Sequence, residues 1–246
     1  MIAITGANGQ LGRLVIKELL KSVPAGEIIA AVRTPEKGAD LAAMGIEVRH
    51  ADYNQPESLN AAFAGVQKLL LISSSEVGQR LPQHQAVIKA AKSNHVELLA
   101  YTSILHCDTS PLMLAAEHKE TEAVLRDSGL PHVLLRNGWY SENYTAGIPA
   151  ALENGAIIGC AGNGKLASAG RSDYAAAAAS VLTAKDQAGR IYELAGDDAY
   201  SLSEFAAELS KQSGQAISYQ NMPESDYRAA LVEIGLPEGF ATALAD

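Results

Sequence analysis

Three glycines near the start of the chain, Gly6, Gly9 and Gly12, have the type and spacing to hold an anion. They stand between a short apolar run, Ile2 to Ile4, and a segment whose apolar residues Leu11, Leu14, Val15 and Leu19 recur at helical spacing. In a strand–turn–helix, Gly6 permits the sharp turn and Gly9 lets the backbone approach a pyrophosphate. Gly12 then lets the helix pack closely on the strand. The free N–H groups at the helix start face the phosphate oxygens. The context, more than the glycines alone, predicts nucleotide binding.

Other residues bear on which nucleotide. The second strand of such a unit ends in Asp or Glu when the 2′-hydroxyl of NAD is the ligand. Here it ends at Val32-Arg33, with Thr34 next and Lys37 nearby. A guanidinium suits a 2′-phosphate, so NADP(H) is expected, the alternative being an exposed strand-end arginine. Asp52, at the end of the third strand, is placed either to accept from an adenine amino group or to cap its own loop. Ser73, Ser74 and Ser75 close the fourth strand where a ribose lies in such sheets, and Tyr101, Thr102 and Ser103 end the fifth. Polar residues also simply mark strand ends.

The sixth strand runs into Arg136-Asn137-Gly138-Trp139-Tyr140-Ser141-Glu142-Asn143-Tyr144, which holds the sole tryptophan of the chain. Its rings and amides suit a wall for a nicotinamide and a planar acceptor, or a hydrophobic plug under a second lobe. Arg171 is placed to reach the same cleft. A Tyr-x-x-x-Lys pair, the acid–base device of conventional short-chain dehydrogenases, is absent: Leu114 stands where the Tyr belongs and His118 where the Lys belongs. Reduction of a ketone needs a donor for the developing alkoxide. A quinone needs less help, because its reduced oxyanion is a stabilised phenolate. His118 is open as proton donor, ribose ligand or surface histidine, and it and Asn143 are the candidates for a catalytic role.

Elements that would position these residues alternate along the chain. Strands are predicted at Glu27–Arg33, Ile46–Tyr53, Lys68–Ser75, Leu98–Ile104 and from His132. Helices fall between them, including Pro56–Gly65 and Ala115–Gly129. That alternation predicts an α/β fold: a Rossmann-type doubly wound parallel sheet with a smaller C-terminal substrate lobe. The sheet domain is expected over 1–136, with 169–198 returning to it, and the lobe over 137–168 and 199–246, closing on a cleft between them. In the C-terminal part, Ser172–Lys185 reads as a helix, Arg190–Gly196 as a strand, and Ser201 with Glu204 as a capping box.

Composition narrows the function classes. The 246 residues are 48% hydrophobic, ample for a core, with a net charge of −9 that argues against non-specific nucleic-acid binding. No apolar run is long enough for a membrane span. The first strand begins at once, leaving no room for a signal peptide. Cys107 and Cys160 fit no metal pattern and read as free thiols in a reducing compartment. A cytoplasmic protein is expected.

Taken together, Thr5-Gly6-Ala7-Asn8-Gly9-Gln10-Leu11-Gly12, Ala31-Val32-Arg33, the Leu69–Ser75 strand, His118 within E-H-K-E-T-E and the R-N-G-W-Y-S-E-N-Y loop resemble the NmrA-like atypical short-chain dehydrogenase/reductase family. Within it the chain is similar to the bacterial quinone-reducing branch, and TGANGQLG and ADYNQPESL to the triphenylmethane reductases. The G-x-x-G-x-x-G spacing is the variant associated with extended and atypical members. The resemblance implies NADPH held by Gly6, Ala7, Asn8, Gly9, Gln10 and Leu11, by Arg33, by Ser73–Ser75 and by Asn137, Gly138, Trp139, Tyr140 and Asn143. It implies a quinone stacked over the nicotinamide, and commonly a homodimer. Some NmrA-like proteins instead bind dinucleotide and regulate a partner without turnover, the alternative reading. An epimerase or dehydratase of nucleotide sugars is disfavoured, since those generally need the Tyr and Lys. Relatives run some tens of residues past Leu244-Ala245-Asp246, a difference expected to bear on the lobe and on dimerisation.

Overall fold

The computed structural model describes residues 1–246. From Met1 the chain alternates strand and helix: β1 (Ile2–Thr5), α1 (Gln10–Leu19), β2 (Ile28–Val32), α2 (Ala39–Ala43), β3 (Glu47–His50), α3 (Pro56–Ala62), β4 (Lys68–Leu71), α4 (Arg80–Ser93), β5 (Leu98–Ile104), α5 (Met113–Ser128) and β6 (His132–Asn137). There follow α6 (Glu142–Thr145), α7 (Ile148–Asn154), β7 (Ala156–Gly159), β8 (Lys165–Leu166), α8 (Arg171–Thr183) and β9 (Ile191–Leu194). The chain ends with β10 (Tyr200–Ser201), α9 (Leu202–Ser213), β11 (Ser218–Asn221), α10 (Glu224–Glu233) and α11 (Glu238–Ala245).

Two compact units result. One comprises Met1–Pro111, Ala115–Asn137 and Arg171–Leu194; the other comprises Leu112–Leu114, Gly138–Gly170 and Ala195–Asp246. In the first unit seven strands form one sheet in the order β3-β2-β1-β4-β5-β6-β9. Every pairing in it is parallel. This is the doubly wound Rossmann arrangement.

The reason lies in apolar runs that must be covered on both faces. Ala3, Ile29, Leu69 and Leu99 point to one face and pack with Leu59 and Phe63 of the α3 segment, Val87 and Ala91 of α4, and Leu125 of α5. Their neighbours Ile4, Ile28, Ala30 and Leu70 point to the opposite face and are equally buried. There α1 and α8 lie against each other, and α8 meets β4 and β5. The C-terminal carbonyls of α8 are satisfied by Lys68, whose Nζ donates to Leu182 O at 2.7 Å and to Ala184 O at 3.1 Å.

In the second unit β7 pairs with β11 in parallel and β8 with β10 antiparallel. Ala151, Ala206 and Ile217 form its small core. Helix α9 opens on a complete capping box between Ser201 and Glu204 and closes at Gly214 in the left-handed region (φ 71°).

Differences from the sequence expectation have physical causes. The fourth strand stops at Leu71, not Ser75, because the Ile72 and Ser73 amides bond to hydroxyls of Thr5 and Thr102 in place of strand carbonyls. The third is confined to Glu47–His50 and the sixth ends at Asn137. Helices α7 and α11 and strands β7 and β8 carried no periodic signal strong enough to mark them. The two strands are only four and two residues long.

Candidate nucleotide site at the carboxyl edge of the sheet

The glycine turn follows β1. Gly6 adopts φ +59°, a conformation favouring glycine, and its carbonyl accepts from Gly9 N at 2.8 Å. A Cβ on Gly12 would lie 2.5 Å from Gly6 O and 2.8 Å from the Ala7 Cα, so no side chain fits there. One on Gly9 would lie 3.1 Å from the same carbonyl. Helix α1 begins with no side-chain cap and no acid in its first turn. Its leading N–H groups are therefore available to an anion, and the macrodipole favours one. Ala7 and Leu11 are buried and Gln10 is exposed. Asn8 turns toward the loop after β2: its Nδ2 donates to Thr34 O at 3.5 Å, and its Oδ1 accepts from Arg13 at 3.2 Å.

Arg33 directly follows β2. Its side chain is 65% exposed, and one arm, Nη1, donates to Glu76 Oε1 at 2.9 Å. Asp52 holds its own loop together: Oδ1 accepts from Asn54 N at 2.9 Å and Oδ2 from Gln55 Nε2 at 3.3 Å. Of the two uses open to it from sequence, its bonds are those of a loop cap.

The segment after β4 is built differently from the glycine turn. Side chains from several elements hold its backbone. Ser73 N donates to Thr102 Oγ1 at 2.9 Å, and Ser74 N to His84 Nε2 at 3.0 Å. Ser74 O accepts from Arg80 Nε at 2.9 Å, and Gly78 N donates to Glu117 Oε1 at 2.9 Å. Arg80 and Glu117 close the clamp with an ion pair at 3.1 Å. Ser73 and Ser74 are half-buried and Ser75 is exposed.

His84 accepts the Ser74 amide at Nε2, so its proton is on Nδ1 and donates to Thr121 Oγ1 at 3.0 Å. Burial, reinforced by Arg80, lowers its pKa to about 3. His118 is buried beside it, hydrogen-bonded through Nδ1 to Tyr101 OH at 2.7 Å. Burial, then Arg80 and His84, lower its pKa to about 3 as well. Buried, His118 is no surface histidine, and with its pKa lowered it holds no imidazolium proton to give at neutral pH. Burial likewise pushes the Tyr101 hydroxyl well above its usual pKa.

Farther along the sheet edge, Arg136 of β6 makes a bidentate pair with Glu122 at 3.0 and 2.6 Å and bridges to Asp108 and Glu193 at 2.7 and 2.9 Å. Hydrogen bonding to Glu122 holds the guanidinium above its ordinary pKa. Cys107 lies beside this pair, its thiol pushed up to about 11 by burial. Asn137 ends β6 with a buried Oδ1 that has no hydrogen-bond partner. Such an atom is costly unless a ligand or water meets it.

Gly138, Trp139, Tyr140 and Asn143 belong to the second unit and are half-buried. There Ala169 N donates to Trp139 O at 3.2 Å and Ser141 N to Ala169 O at 2.9 Å, and Asn143 N donates to Tyr140 O at 3.0 Å. Arg171 is the first residue of α8, in the first unit, and is half-buried.

Sequence reasoning missed Glu76, Arg80, His84, Glu117, Thr121 and Glu122. A signal existed for two of them: Thr121 and Glu122 lie three and four residues after His118, on the same helical face.

The glycine cradle, the uncapped helix start, an arginine after β2 where an acid would select NAD, and the orphaned Asn137 amide fit a phosphorylated dinucleotide. Comparison with known proteins gives the same class: residues 6–185 match the NAD(P)H-binding family. The chain belongs to that family. Among its relatives is quinone oxidoreductase 2 of Escherichia coli K12, 61% identical over 100% of this chain and 86% of that protein. A crystal structure of that NADPH-dependent quinone oxidoreductase complexed with NADPH superposes with a TM-score of 0.96, covering 100% of this chain and 87% of that one. The Citrobacter sp. triphenylmethane reductase complexed with NADP(H) is 43% identical, with a TM-score of 0.95 over 100% of this chain and 87% of the other.

Proposed function

We propose that the protein is an NADPH-dependent reductase that transfers a hydride to a quinone or similar planar acceptor. The observation that carries it is the Gly6–Gly12 cradle with Arg33 at the end of the neighbouring strand. The 61% identity to a quinone oxidoreductase supports the acceptor class and favours an enzyme over a non-catalytic regulator.

In this reading the backbone of Gly6 to Leu11 binds the pyrophosphate and Arg33 the 2′-phosphate. Ser73, Ser74 and Ser75 serve the ribose, with Asn137 as an amide partner. When bound, NADPH supplies a hydride from C4 of its nicotinamide. The protein contributes orientation and exclusion of water rather than a strong acid. Neutral His118 supports that division of labour, because the oxyanion of a reduced quinone is a stabilised phenolate that needs no proton donor as the hydride arrives, whereas a developing alkoxide does. His118 and Asn143, the catalytic candidates, are proposed here to orient the ligands, and Asp52 to accept from the adenine amino group or to cap its own loop. Gly138, Trp139, Tyr140, Asn143 and Arg171 are assigned to the ligands on their chemistry. Free Cys107 and Cys160 support a cytoplasmic location, and no helix is long and apolar enough to cross a membrane. A homodimer is proposed on family grounds and is read by light scattering.

The test is NADPH absorbance decay with purified protein, with and without a panel of quinones, and with NADH in parallel. Quinone-dependent decay preferring NADPH is expected. Saturable NADPH binding without decay would overturn the reductase reading in favour of the regulatory one.

A further inference from the structure

Glu76 lies in the middle of the segment that Arg80 and Glu117 clamp at Ser74 and Gly78. Its two carboxylate oxygens have separate partners. Oε2 accepts from Nε2 of the buried Gln83 at 2.8 Å, and Oε1 accepts from Arg33 Nη1 at 2.9 Å. Anchored from the protein side by Gln83, this carboxylate has a fixed place at the mouth of the β2 and β4 ends.

Arg33 gives Glu76 a single hydrogen bond, while its Nε and Nη2 make none within the protein. A guanidinium binds phosphate best when it presents two parallel N–H groups and its charge is not already neutralised. Glu76 takes one of those groups and offsets that charge. A phosphate arriving at Arg33 adds close to two negative charges beside an acid already present.

We propose that Glu76 sets how strongly the protein prefers NADPH over NADH, by competing with the 2′-phosphate for Arg33. The inference rests on the assignment of Arg33 to that phosphate. Arg33 supplies the preference and Glu76 limits it. An acid at this place leaves the adenosine end of NADH untouched, since a 2′-hydroxyl neither needs the guanidinium nor repels the carboxylate.

Calorimetric titration of the full chain with adenosine 2′,5′-bisphosphate and with AMP isolates this end of the cofactor from turnover. Glu76→Gln keeps the shape and removes the charge. It is expected to tighten the bisphosphate about two- to fivefold, the range of an exposed ion pair, and to leave AMP unchanged. The gain should shrink as salt is raised. Glu76→Ala should move affinity in the same direction, so a gain confined to one variant overturns the proposal. Unchanged or weakened bisphosphate binding in Glu76→Gln also overturns it, the latter making Glu76 an orienting partner of Arg33. Arg33→Gln separates the two layers. If it leaves bisphosphate binding intact, the Arg33 assignment itself fails. If it abolishes the preference while Glu76→Gln adds nothing, only the role of Glu76 fails.

Discussion

The turns after β1 and β4 lie on neighbouring strands and solve one problem in opposite ways. The first closes on its own backbone, with Gly9 N on Gly6 O and Arg13 N on Gly9 O, and needs side chains to be missing. The second is held by side chains of Thr102, His84, Arg80 and Glu117, drawn from β5, α4 and α5. A turn made of backbone is rigid because nothing else fits. A turn pinned by side chains is rigid because each pin is buried and satisfied, so it fails when one pin is removed.

The largest effect should come from the clamp. Glu117→Ala leaves the buried Arg80 guanidinium without its ion pair and the Gly78 N–H without its acceptor. A loss of about 3 kcal/mol is expected in urea unfolding, as for other broken buried pairs. Equal stability of variant and parent would mean that the second turn is not held as described. Gly12→Ala probes the first turn in the opposite sense, by adding one carbon. With Gly6 O 2.5 Å away, the added methyl should cost roughly 1–3 kcal/mol and weaken NADPH binding more than tenfold, the latter read by fluorescence titration.

Acid should separate the turns further. The pKa values of His84 and His118 are each lowered to about 3 in the folded protein. The unfolded chain therefore binds protons first as pH falls through about 6.5, and folding stability drops from there toward pH 3. Each histidine contributes up to about 1.4 kcal/mol per pH unit inside that window, and nothing further above it. Replacing His84 by Gln should flatten part of this slope in pH-dependent unfolding. The smallest effect is a control outside both turns. Ser201→Ala removes the hydroxyl from the α9 capping box and should cost about 1 kcal/mol with no change in NADPH affinity.

This contrast also explains what the sequence made legible. Gly6, Gly9 and Gly12 could be read because the constraint on them is local: strand, turn and helix lie within twenty residues. The parallel sheet could be read from apolar runs such as Ile28–Val32, buried at every position. The pins of the second turn could not, because Ser73 meets Thr102 and Gly78 meets Glu117, 29 and 39 residues on, only after β5 and α5 have packed. Buried polar residues on α5 look, in one dimension, like the solvent face of an amphipathic helix. Arg136, on β6, is likewise buried, against Glu122 of α5 fourteen residues earlier.

Strand β9 is the last strand of the sheet and lies more than fifty residues beyond β6, its partner. During synthesis the first six strands are complete at Asn137, yet the sheet does not gain its seventh until Leu194 has left the ribosome. In that interval β6 has an unpaired edge, the kind of surface that invites pairing with another chain. Release of the chain between those points would yield a fragment with that edge open, so the exposed stage of this protein's synthesis is set by the route its backbone takes.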